Sequence, residues 1–206
     1  MLQKHPAEAE VLLRLGAIAN ALMTIGRAIP ASPFKTSKDR QDAFQFFVMV
    51  ASYIYVAIKE LERRHDGLWW QLAESGEKHR ALPMPLADLR SLLTKDCEFA
   101  RSCARIRDKY AFHVDRKPFE ALIASATEPV VVFQIEGPAV EDITFPGSYR
   151  ALIDAVHELG TDDFKDTLTD VMRAFPYMVE AIIIGFGLSK GQLEPPTERP
   201  PSSPRE

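Results

Sequence analysis

Along most of the chain, apolar residues recur every three or four positions, and these stretches are separated by short runs rich in Pro, Ser and Gly. That pattern predicts amphipathic helices joined by loops. From Pro6 to about Ile29 the apolar set is Leu12, Leu15, Ile18 or Ala19, Leu22 and Ile25, a one-sided helix that Pro30 stops. A loop over 31–37 follows, in which Ser37 is placed to cap a second helix with Asp39 in its first turn. The second helix runs to roughly Arg64 on a stripe of Phe47, Ala51, Ile54, Ile58 and Leu61, with Lys59, Glu60, Glu62 and Arg63 as its solvated end.

After Gly67, Leu68 to Leu72 begin a short helical piece that fades into the polar run from Glu74 to Arg80. Trp69 and Trp70 are adjacent and so point apart on a helix; core packing is the ordinary reading, and anchors for a partner the other. Helices are expected over Leu86 to Thr94 and Cys97 to about His113, the latter with Phe99, Cys103, Ile106 and Tyr110 as its apolar stripe. Pro118 ends that helix by about Arg116, and a shorter helix follows over Phe119 to Ala126. One strand signal stands out, the β-branched run from Pro129 to Ile135. With Asp142 to Phe145 it predicts a small β-hairpin inserted on a helical body. Helix then returns over Ala151 to Leu159 and Thr161 to about Leu188, where Leu168, Val171, Met172, Phe175, Val179 and Ile183 form the buried face and Pro176 introduces a kink.

These elements make the chain mainly α, an antiparallel helical bundle with a small β-hairpin insertion. From Gln192 onward, Pro, Ser and Glu replace the apolar residues. The expected organisation is one helical domain over 1–190 and a disordered Pro-rich tail with polyproline character over 191–206. A length of 206 residues with 46% hydrophobic content suits one domain with a real core.

Charge narrows the function classes. The net charge of -4 comes from 25 basic and 29 acidic residues without any block of one sign, so no broad surface for nucleic acid is advertised and any RNA contact must be local. Cys97 and Cys103 lie on one predicted helix with side chains on different faces, which makes them free thiols and points to a reducing, cytoplasmic setting. The N-terminus leads directly into a helix holding Glu8, Glu10 and Arg14, unlike a signal peptide. The most apolar segment, Ala43 to Ile58, is interrupted by Gln45 and Ser52 and is shorter than the ~20 residues a bilayer requires, so no membrane contact is expected.

Several catalytic signatures are missing from the sequence: a Gly-rich phosphate loop, His-Glu-x-x-His, Cys-x-x-Cys and Gly-x-Ser-x-Gly. His5, His65, His79 and His157 lack ligand spacing, and neither a metal nor another cofactor is expected. The remaining chemistry is concentrated in Arg105 to Asp115. There Arg107, Asp108, Lys109, His113 and Asp115 close a helix whose other face is apolar. Arg107 and His113 are ~120° apart on an ideal helix, yet they can converge on one small anion if His113 sits on the last turn. The same cluster also fits a surface group of salt bridges at a helix end.

The segment resembles the signature of the HEPN superfamily, in which an Arg and a following polar residue precede a His near a helix end by four to six residues. Arg107 matches the Arg, Asp108 the polar position and His113 the His, with five residues between Arg and His. The phrase Ile106 to Asp115 and the opening Leu12 to Leu22 are similar to those of uncharacterised bacterial HEPN-like proteins. The resemblance implies a four- or five-helix bundle and a homodimer with the two motifs facing each other. It also implies metal-independent RNA cleavage, of the kind found in toxins or phage defence, in which His113 assists proton transfer at the ribose 2′-hydroxyl and Arg107 holds the scissile phosphate. Asp108 departs from the common Asn: it offsets the charge of Arg107 or orients Arg107 or His113 through a charge-assisted hydrogen bond. Lys109 and Asp115 are supporting residues. The alternative is a non-catalytic RNA-binding or protein-interaction module that engages a protein partner through the Pro-rich tail.

Overall fold

A computed structural model of the chain describes residues 6–28, 37–63, 67–108, 124, 127, 134–135, 143–144 and 162–191. It is mainly helical. The described elements are α1 (Pro6–Ala28), α2 (Ser37–Glu62), α3 (Leu68–Glu77), α4 (Leu86–Leu92), α5 (Glu98–Ile106), β1 (Gln134–Ile135), β2 (Ile143–Thr144) and α6 (Asp162–Ser189). Strands β1 and β2 pair antiparallel, Gln134 opposite Thr144 and Ile135 opposite Ile143. The rest of the segments expected to form a hairpin, the helix expected over 119–126 apart from Ala124, which is helical, the helix expected over 151–159, and the tail from Gln192 lie outside the described residues.

The predicted stripes supply about half of the core. Leu12, Leu15, Ile18, Ala19, Leu22 and Ile25 of α1 are all buried, as are Ala51, Ile54, Ile58 and Leu61 of α2 and Phe99, Cys103 and Ile106 of α5. Helices that each hide one face must pack in pairs, and the cross-helix contacts give the directions. Arg14 of α1 reaches Glu60, while Glu10 lies near Arg63, so α1 and α2 run antiparallel. Glu62 accepts a hydrogen bond from the Lys95 amide just before α5, and Tyr55 meets Arg107 just after it, so α2 and α5 are antiparallel too. Against α6, Leu72 and Gly76 of α3 oppose Gly185 and Ala181 in that order, which is again antiparallel.

This last contact explains why α3 is longer than the sequence suggests. The polar run after Leu72 stays helical to Glu77 because Ala73 and Gly76 turn inward while Glu74 faces solvent. Gly76 and Gly185 let the two backbones touch, since a Cβ on either would overlap the carbonyl of Ala181 or Leu72. Trp69 is turned fully into the core, which removes it as an anchor for a second copy; Trp70 is half-buried, with Arg90 5.9 Å from its ring.

Two other positions depart from the pattern. Glu60, expected at a solvated helix end, is buried at 5% exposure, because Arg14 and Arg63 both reach its carboxylate, at 3.2 and 3.3 Å. Ile183, expected inside, is 46% exposed. The buried stripe of α6 runs Val171, Phe175, Met178, Ile182, and a step of four from Val179 to Ile183 leaves that line while Ile182 stays on it. The helix continues through Pro176, whose missing N–H leaves the Met172 carbonyl without its usual helical donor.

The expectation that no segment suits a bilayer also changes. Three helices are long and apolar enough to cross a membrane by length and composition: Ala7–Ala28, Asp42–Glu62 and Asp163–Ser189. The α2 segment reaches that length because the helix continues past the apolar block into Lys59, Glu60 and Glu62.

Candidate functional site

Helix α5 is fixed at its start and along one face before Arg107 is reached. At its start the Cys97 thiol takes the role usually played by Ser or Asp: its Sγ accepts from the Ala100 amide at 3.2 Å and donates to the Leu92 carbonyl at 3.1 Å. Phe99, Ala100, Ser102, Cys103 and Ile106 are buried, so the helix cannot rotate without exposing them. Arg107 then follows directly from a buried residue. Its amide donates to both the Cys103 and the Ala104 carbonyl, as in an ordinary last helical turn.

The Arg107 side chain is 34% exposed. Its Nε is buried, its Nη1 donates to Asp108 Oδ1 at 2.8 Å, and its guanidinium carbon lies 5.1 Å from the centroid of the Tyr55 ring on α2. A guanidinium held against an aromatic face and by a carboxylate loses most of its rotamer freedom. The Asp108 contact both holds the Arg107 guanidinium and offsets its charge. The same ring carries a second cation: Lys59 Nζ, one helical turn along α2, lies 5.5 Å from the Tyr55 centroid.

Cys103 lies one turn before Arg107 and is fully buried. Burial first, and the neighbouring Cys97 second, push its thiol far above the ordinary range, so it offers no thiolate at neutral pH. Both cysteines are free. Among the described residues, no group of three His, Cys, Asp or Glu side chains could hold a metal ion.

Of the sequence-predicted site, Arg107 and Asp108 are brought into direct contact. Lys109, His113 and Asp115 lie outside the described residues. Tyr55 and Lys59 were not singled out by the sequence; their signal is an aromatic followed four positions later by a cation on one helix face, and only the pairing of α2 with α5 links them to Arg107. In comparisons with known proteins, no family model, no curated protein and no solved structure matches this chain.

Proposed function

We propose that the chain is a HEPN-like endoribonuclease that cleaves RNA without a metal ion and acts as a homodimer in the cytoplasm. The observation that carries this reading is Arg107: a part-exposed guanidinium at a helix end, positioned by Tyr55 and Asp108, is the kind of group that grips a phosphate. In the reaction, His113 takes the proton from a ribose 2′-hydroxyl as its oxygen attacks the adjacent phosphorus. The bond to the 5′-oxygen breaks, a proton is returned to that oxygen, and the products are a 2′,3′-cyclic phosphate and a 5′-hydroxyl. Lys109 and Asp115 support the two principal residues, and the partner copy supplies the facing motif.

Outward-facing charge supports an aqueous setting for the three apolar helices. Glu10 and Arg14 on α1, Lys59 on α2, and Asp166, Asp170, Arg173 and Glu180 on α6 are exposed, and burying such groups in lipid costs several kcal/mol each. The apolar faces are used against one another. Exposed Leu13, Met49, Val56 and Ile183 favour a second reading, a non-catalytic module that docks a protein partner with help from the Pro-rich tail. Incubating cellular RNA with the wild type and with Arg107→Ala separates the two: cleavage lost in the variant supports the nuclease, and RNA left intact by both supports the module.

A further inference from the structure

A phosphate approaching Arg107 meets an unfavourable local field. The Asp108 carboxylate, 2.8 Å from Nη1, cancels the guanidinium charge to first order, and the site sits at the C-terminal, negative end of α5. Arg107 and Asp108 together are a neutral pair beside a partial negative charge. If an anion binds there, a further cation must supply the net attraction. Among the described residues, the cation that shares the Tyr55 ring with Arg107 is Lys59.

Lys59 is exposed, and among the described residues no carboxylate lies within ion-pair distance of it. Tyr55, half-buried between α2 and α5, holds the guanidinium and the ammonium 5.1 and 5.5 Å from one centroid. We propose that Lys59 is a second phosphate-binding cation of this site, engaging the RNA backbone next to the phosphate held by Arg107, and that Tyr55 is the positioning residue for both. The inference rests on the RNA reading of the site. It places part of the binding surface on α2, outside the segment that carries the sequence signature.

The test uses the full chain and a short fluorescent 2′-O-methyl RNA oligonucleotide, which cannot be cleaved by 2′-hydroxyl attack, with affinity followed by anisotropy over a range of salt. One single-strand phosphate contact contributes a slope of about -0.7 in log affinity against log salt, or about fivefold in affinity near ~0.1 M salt. Lys59→Gln is expected to weaken binding about fivefold and to flatten the slope by about 0.7, and Lys59→Arg to restore both. Tyr55→Leu is expected to weaken binding while Tyr55→Phe, which keeps the ring face, binds as the wild type does. Lys59→Gln with wild-type affinity and slope, alongside a weakened Arg107→Ala, overturns the role of Lys59 and leaves the RNA reading standing. A wild type that does not bind the oligonucleotide overturns both.

Discussion

Gly76 of α3 and Ala181 of α6 meet backbone to backbone, with no space between them for a Cβ. The rigid parts of both helices are involved, so neither can yield as a flexible side chain would. Gly76→Ala, and equally Gly185→Ala against Leu72, should force the helices apart and cost roughly 3 kcal/mol. For a chain of this size that lowers Tm by roughly 6–12 °C. Gly16→Ala, which meets open space on α1, is the matched control and should leave Tm level or slightly raised. Calorimetry on the three variants decides it; a Gly76→Ala melt equal to wild type would contradict the close packing.

Glu60 should behave as a structural charge. Its carboxylate is buried between Arg14 and Arg63, so Glu60→Ala leaves both arginines facing a gap and should cost about 2 kcal/mol in urea unfolding. Glu10 belongs to the same network but is 56% exposed, and Glu10→Ala should cost under ~0.5 kcal/mol. Equal effects from the two would mean that the burial of Glu60 carries no energetic weight.

How much of this was legible beforehand varied with the range of the interaction. The faces of α1 and α5 followed from apolar spacing alone, because a stripe at three and four positions is a local property. Glu60 was misread because a charge near a helix end normally faces water, and its burial depends on Arg14, 46 positions away. The length of α3 was missed for the same reason: the run from Glu74 reads as polar until α6 supplies the backbone against which Gly76 packs. At the site, Arg107 and Asp108 were legible as neighbours at a helix end. Tyr55 and Lys59 were not, since only tertiary packing of α2 on α5 makes them part of it.

Cys103 should leave a signature in alkali. Its thiol is held protonated in the fold, whereas the unfolded chain ionises near the ordinary value of 9.0. The folded value is raised, so its contribution is fully present below that pH and is lost as pH climbs above it, with a slope of up to about 1.4 kcal/mol per pH unit. Stability measured from pH 8 to 10.5 should therefore fall less steeply in Cys103→Ala than in wild type. Parallel curves would show that the thiol ionises equally in both states.

Light scattering in detergent-free buffer at micromolar concentration should give twice the chain mass of 23.1 kDa. A monomer would leave half of a composite site. Protein recovered only in detergent would instead make lipid partners of the three apolar helices.

The central claim is that Arg107 and His113 cleave RNA by 2′-hydroxyl attack without a metal. Its most direct measurement is the profile of total cellular RNA after incubation in EDTA with wild type, Arg107→Ala and His113→Ala, with the termini of any fragments determined. The account predicts fragments ending in 2′,3′-cyclic phosphate from wild type alone, with the Tm of Arg107→Ala within a few degrees of wild type because that side chain is part-exposed at the end of α5. Identical RNA profiles from all three proteins would contradict it.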